Sequence, residues 1–194
     1  MSELSLMQRA LGAQWEQLPF ALRAHYQDKT NTDVGMLDIE YPGLMQPYLN
    51  FLRILGALVN RRGTAIPTTV EKHMEGCVQR WKRTITFPDG KTIFFKSRWV
   101  YAGENELIEY VSPFLGLRMA LHVEDGNLYY EGRHYVVKLS KLLVPIPEWL
   151  ILGHTTIVET ALDETNFTMD FRLRHPLFGQ VFRYAGKFGT EQVP

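Results

Sequence analysis

Cysteine is nearly missing from this chain of 194 residues: Cys77 stands alone. That excludes an internal disulfide framework, and no Cys/His spacing matches a zinc site. An excess of either charge is missing as well. Twenty-one Lys and Arg balance twenty-one Asp and Glu, without the basic surplus of a general polyanion binder, so no nucleic-acid partner is expected. No apolar run approaches the roughly 20 residues of a bilayer-spanning helix, so no transmembrane segment is expected either. The opening MSELSLMQRALGAQW lacks the basic start and unbroken apolar core of a signal peptide, and a cytoplasmic location is the expectation. Repeats, low-complexity tracts and linkers are also lacking, so residues 1–194 read as a single domain. Catalytic signatures are absent: no G-x-S-x-G elbow, H-E-x-x-H helix, phosphate loop or dinucleotide fingerprint occurs. The six histidines are scattered without ligand-like pairing, and no metal or cofactor is expected.

What the chain does carry is periodicity. Met7, Leu11, Trp15 and Leu18 recur at helical spacing; Ser5 is placed to cap that helix, and Pro19 suits the first turn of a second, 19–26. DKTNTD, 28–33, reads as a loop, followed by a strand in which Leu37, Ile39 and Tyr41 alternate with Met36, Asp38 and Glu40. The next segment, 47–59, is helical and apolar nearly all round, which requires cover on most sides. It reads as a buried helix closing one end of a core, or as a lid over a cavity. Membrane adsorption is disfavoured because its polar face lacks several Lys or Arg.

From Thr68 the period becomes two. Runs at 68–76, 79–87, 91–101, 105–111, 117–124, 127–139, 154–162, 166–174 and 180–188 are separated by turn signals such as Pro88-Asp89-Gly90 and Asp125-Gly126. The stretch LLVPIPEWLILG, 142–153, is too rich in proline for a strand interior and is expected to cross an end of the sheet. The fold class is therefore α+β: a strongly curved antiparallel sheet or β-barrel of about 8–10 strands, with the N-terminal helices of 1–66 packed on or closing it. Parallel crossovers have no room in such short turns.

Alternation also says which charges share a face with apolar residues. Arg83 falls beside Trp81 and Ile85, Glu109 beside Leu107 and Val111, and Glu159 beside Ile157 and Ala161. His134, alternating with Tyr130 and Val136, is placed to face inward too. A buried charge needs a partner, so Arg83 is expected to pair with Glu109, Glu159 or both. That arrangement reads as a structural ion pair fixing register, or as a polar anchor at the bottom of an apolar pocket. Ala120 and Ala161 are expected on the pocket wall. Residues 71–101 carry seven basic and three acidic side chains, and 102–131 one basic and six acidic, an imbalance expected to resolve into cross-strand pairs.

The combination of RWKRTITF (80–87), LIEYVSPFLGLRMALHVEDGNL (107–128), VPIPEWL (144–150) and NFTMDFRLRHPLFGQVFRYAGKF (166–188) resembles a bacterial family catalogued as domain of unknown function 4166, and ALGAQWEQLPFALRAHY (10–26) fits its opening helix. The chain departs from that pattern at Ser112-Pro113, where the family has Gly-Pro, and at Val144, where it has Gly. Some members are fused to nucleotide-binding oxidoreductase-like domains, so the resemblance implies a module that handles a small or lipid-like molecule for an oxidoreductase partner. No catalytic residue carries over. Trp81, Arg83, Glu109 and Tyr184 lie in the matching stretches, Tyr184 being placed by alternation with Phe182 and Phe188, and together with Glu159 they form the candidate ligand-binding set. Three functions follow as alternatives: a binder of a hydrophobic or amphipathic, lipid-like molecule in a barrel cavity; an enzyme of cyclase, isomerase or hydrolase type using an inward carboxylate; and a partner-binding module of an oxidoreductase system whose barrel is filled.

Overall fold

The alternating runs do become strands. A computed structural model describes residues 4–27, 30–140 and 142–191 and shows eleven strands in one sheet. They are β1 (Thr30–Glu40), β2 (Gly63–Glu75), β3 (Val78–Thr86), β4 (Thr92–Gly103), β5 (Glu106–Tyr110), β6 (Leu115–Glu124), β7 (Asn127–Leu139), β8 (Leu142–Ile146), β9 (His154–Ala161), β10 (Asn166–His175) and β11 (Gly179–Glu191). Every pairing is antiparallel. Ten strands close into a barrel, β1 to β7 in sequence and then β9, β10 and β11, which returns to β1. Closure leaves no exposed edge in those ten. β8 lies outside the ring: it pairs with residues 135–139 of β7, while β9 takes residues 128–131 of the same edge.

Because neighbouring strands run in opposite directions, connections alternate between two ends. The base holds the hairpin turns at 76–77, 104–105, 125–126 and 162–165, together with the N-terminal helices α1 (Leu6–Leu11) and α2 (Phe20–Gln27) joined by a 3-10 turn. A reciprocal capping box starts α1, with the Ser5 hydroxyl accepting from the Gln8 amide and the Gln8 side chain accepting from the Ser5 amide. Met7, Leu11, Trp15 and Leu18 are all buried against the barrel, as their spacing predicts. The mouth, at the other end, holds α3 (Gln46–Ile54) and the connections 41–62, 87–91, 111–114, 140–153 and 176–178.

Several expectations need correction. Residues 30–33 belong to β1 rather than to a loop, because Asn31 and Asp33 face inward and find polar partners there; Asp28 and Lys29 lie outside the described residues. Residues 142–146 do form a strand, possible because Pro145 sits on a strand outside the closed ring, where ladder hydrogen bonds on one side are dispensable. The 3-10 turn Glu148–Leu150 then packs against β7 and β9 at the mouth end. Helix α3 ends at Ile54 and buries one face only: Leu49 and Leu52 are covered, whereas Phe51 and Ile54 are bare. A β-bulge passes from Met119 opposite Gly132 to Arg118 opposite His134, so Tyr135 turns inward and His134 outward. Ala120 shares the outward phase of Arg118 and His122, and neither Ala120 nor Ala161 lines either of the two interior chambers described below. Finally, the β3–β4 register sets Arg80 opposite Arg98 and Lys82 opposite Lys96. Acidic partners come from β2 instead, with Lys82 2.6 Å from Glu71 and Arg80 on Glu75.

The seam between β1 and β11 is built on glycine. A Cβ at Gly35 would lie 2.1 Å from the Lys187 carbonyl oxygen and 2.6 Å from the Phe188 ring, and one at Gly186 would lie 2.4 Å from the Met36 carbonyl. Close backbone approach of this kind lets the two strands bend together at the point of closure. Gly35→Ala is therefore expected to destabilise by about 1–3 kcal/mol or more, read as a lowered denaturation midpoint; an unchanged midpoint would show that the seam has room to spare.

Candidate functional site

Inside the barrel, two small chambers lie on either side of a charged waist. The lower, of about 40 Å³, is lined by Trp81, Trp99, Tyr130, Glu159 and the α2 residue His25. The upper, of about 80 Å³, is bounded by Phe95, Leu117, Tyr135 and Phe171 on the strands and by Leu52, Ala57, Leu58 and Val59 on the mouth side. Arg83, Glu109, Tyr184 and Leu37 line both. All five candidate residues from the sequence thus reach the interior, and all five line the lower chamber.

The waist is an ion pair from strands that are not neighbours. Arg83 on β3 and Glu109 on β5 are separated by β4, whose Ser97 completes the group. Arg83 Nη2 lies 3.3 Å from Glu109 Oε1, and Nη1 donates to Ser97 Oγ at 3.1 Å. The guanidinium rests over Trp81 and Phe95, at 5.0 and 5.2 Å from the ring centres, and such stacking suits arginine's planar, weakly hydrated cation. Among the described residues its hydrogen bonds leave from Nη1 and Nη2, so the five-donor fork is not used up. Tyr184 stacks on Phe171; burial pushes its phenol up to about 12, with Arg83 pulling the other way, so the hydroxyl stays a neutral donor. Trp81 stacks on Trp99 at 4.6 Å, and the buried indole N–H of Trp99 has no hydrogen-bond partner among the described residues.

Below the waist are polar groups that the sequence reading missed. α2 lies across the base and sends His25 and Tyr26 into the barrel. The Lys72 ammonium, 1 % exposed, lies 2.8 Å from Asp33 and donates to the His25 carbonyl at 2.6 Å. His25 Nδ1 is 2.8 Å from the same Asp33 carboxylate. Burial drives His25 down to about 4 despite Asp33, so at neutral pH the imidazole beside Asp33 is neutral. Burial pushes the Asp33 carboxyl up, but His25 and Lys72 together hold it well below the usual carboxylate range; burial likewise lowers Lys72. Glu159 accepts from Tyr26 at 2.8 Å and from Tyr130 at 3.4 Å, and the two hydroxyls also touch each other. Burial raises Glu159 to about 7, against the pull of the Tyr26 hydrogen bond and Lys72. The signal for Lys72 was available, since Ile66, Thr68, Val70 and Lys72 alternate. Asp33 was hidden by reading 28–33 as a loop.

His25 and Glu159 make opposite contributions to stability. Folded His25 takes its proton near pH 4 and the unfolded chain near 6.5, so acidification through that window favours unfolding. Folded Glu159 keeps its proton to about pH 7, whereas the unfolded chain loses it near 4.5, so raising the pH from 4.5 to 7 favours unfolding. Glu159→Gln removes the second contribution: its melting temperature should climb more steeply than the wild type's between pH 4.5 and 6.5, and parallel profiles would refute the assignment. For the waist, Arg83→Met leaves Glu109 buried without its cation and is expected to cost about 3–5 kcal/mol. The Arg83→Met/Glu109→Leu double variant should recover much of that loss in chemical denaturation. A single variant as stable as wild type would place the pair in water.

Over 146 residues the chain is 28% identical to the "Uncharacterized protein YndH" of Bacillus subtilis (strain 168), covering 69% of each chain. A family model described as "Domain of unknown function (DUF4166)" matches residues 18–188, a span running from the start of α2 to the Tyr184 strand, which contains the waist and both chambers. The chain belongs to this family, domain of unknown function 4166.

Proposed function

We propose that the protein binds a small amphipathic molecule inside the barrel, with its polar head at Arg83 and Tyr184 and its apolar chain in the upper chamber. The observation that carries this reading is the position of Arg83, Glu109 and Tyr184 on the floor of a chamber otherwise walled by aliphatic and aromatic side chains. A few polar groups converging at one end of an apolar cavity is the usual composition of a small-molecule site. Volume narrows the class. About 80 Å³ is well below the roughly 300–1,000 Å³ of drug-sized pockets, so the closed form suits a short chain with an anionic or hydrogen-bonding head. A longer chain requires displacement of the cover, residues 55–59, where Leu58 has φ +55° and Gly56 φ +82°. Leu58 holds a left-handed backbone that a non-glycine residue adopts at a cost, which is stored strain in the segment that would move.

Hexanoate and octanoate serve as probes. Either should raise the melting temperature of the wild type in a concentration-dependent way, and the purified protein should retain small amphipathic mass in native mass spectrometry. Ala57→Phe fills the upper chamber from the mouth side and is expected to weaken binding about tenfold or more, since the space it fills is the ligand's. No stabilisation by either probe and no retained mass would leave a filled barrel, and with it the partner-binding module of an oxidoreductase system, as the better account.

A second reading has one observation in its favour. Glu159, raised to about 7 by burial and bracketed by Tyr26 and Tyr130, has the poise of a general acid or base, as an isomerase, cyclase or hydrolase requires. Any activity found must then be lost in Glu159→Gln; activity that survives this change is not its work.

A further inference from the structure

The two ends of the barrel present different surfaces. Of the seventeen large hydrophobic side chains exposed among the described residues, twelve lie in the mouth connections or within three residues of them. Leu4, Phe20 and Leu162 are the base's share. The mouth residues come from separate segments around the rim: Phe51 and Ile54 from α3, Phe114 from the β5–β6 turn, Leu142 from β8, Trp149 from the 3-10 turn and Leu177 from the β10–β11 turn. Ile54 and Leu177 are 82% and 81% exposed. Scattered apolar residues need no explanation, but a ring of them at one end does.

Charge divides along the same axis. Among the described residues the mouth connections carry Arg53, Arg61, Arg62 and Lys91 against Asp89 and Glu148. Asp89 is engaged by Arg61 at 2.8 Å and Glu148 is buried. The exposed Lys138 and Arg174 flank the same end, as does Glu40, which Arg183 meets at 3.6 Å. The base hairpin turns carry Glu104, Asp125, Asp163 and Glu164 and no basic residue, and the helices at that end add Arg9 and Arg23 against Glu16, which leaves an acidic surplus. A formal net charge of zero therefore conceals a barrel with a basic, apolar mouth and an acidic base.

We propose that the mouth docks on an anionic lipid bilayer, its apolar loop tips entering the interfacial layer while the rim cations meet the lipid phosphates. Apolar residues flanked by Lys and Arg, with Trp149 at the rim, are what such an interface selects. α3 alone, with Arg53 as its single cation, lacks the charge for this. The neighbouring turns supply it, which a helix-by-helix reading of the sequence could not show. The same charge disfavours a second copy of this chain as the occupant, because a mouth-to-mouth pair would oppose two basic rims. Docking does not depend on the ligand proposed above, but it gives that ligand a source: the rim segments 52–59 and 151–152 also cover the upper chamber, so an amphipath would pass from bilayer to barrel without crossing water.

Co-sedimentation with vesicles tests this. Vesicles of phosphatidylcholine with about 30% phosphatidylglycerol should bind the protein about tenfold or more tightly than phosphatidylcholine alone, and about 0.5 M salt should erase the difference. Trp149 emission should shift to the blue on binding, with no such shift in Trp149→Phe. The triple variant Phe51→Ser/Ile54→Ser/Leu177→Ser should stay in the supernatant, Lys91→Glu/Arg174→Glu should lose the preference for anionic vesicles, and Phe20→Ser/Leu162→Ser at the base should behave as wild type. The proposal is overturned if the wild type ignores anionic vesicles, if the triple variant binds as well as wild type, or if light scattering shows a dimer that the triple variant dissolves. Octanoate binding measured without vesicles keeps the two ideas apart: binding there without docking removes this proposal alone, and docking without octanoate binding removes the earlier one alone.

Discussion

Barrel closure is the constraint from which the rest of this structure follows. Once β11 returns to β1, every second residue of ten strands is committed to the interior, and a charge in that phase has nowhere else to go. Arg83, Glu109, Lys72, Asp33 and Glu159 are all in that phase, and each is buried. Their cost is met locally: Arg83 by Glu109 and Ser97, Lys72 by Asp33 and the His25 carbonyl, Glu159 by two tyrosines and its own raised proton affinity. Replacing such groups with hydrophobic residues of similar volume is often neutral or stabilising. The barrel has ample Phe, Leu and Ile around them, so stability alone does not account for their presence.

The polar groups are also ordered along the barrel axis. His25 and Asp33 line the lower chamber together with Glu159 and Tyr130, and the Arg83 waist separates it from a chamber that is almost wholly apolar. Beyond that chamber comes the cover of 52–59 and 151–152, and then the bare apolar rim. Polarity thus falls steadily from base to mouth inside the barrel, while outside it the charge runs from acidic to basic.

Much of the architecture was legible in the sequence because it rests on local rules. Nine alternating runs from Thr68 to Phe188 became strands, since a change of period from 3.6 to 2 is written residue by residue. The inward placement of Trp81, Arg83, Glu109, Glu159 and Tyr184 followed from the same alternation, and so did the Arg83–Glu109 pair, because a buried guanidinium demands a carboxylate. Two placements were not legible, each for its own reason. His134 and Tyr135 exchanged faces at a β-bulge, which adds one residue without any signal in composition. Residues 30–33 look like a loop, and they are strand because Asn31 and Asp33 find buried partners on α2 and β11.

By itself, the sequence determined the antiparallel strands, the capped N-terminal helix and the inward phase of Arg83, Glu109 and Glu159; each depends on neighbours within a few positions along the chain. Tertiary structure alone decided which strands closed the ring, that β8 stayed out of it, and that His25 from a helix would meet Lys72 and Asp33 from two strands. It also decided that Phe51 and Ile54 of α3 would remain bare while Leu49 and Leu52 were covered. These outcomes depend on distances between residues far apart in the chain, and such distances exist only after the barrel has closed.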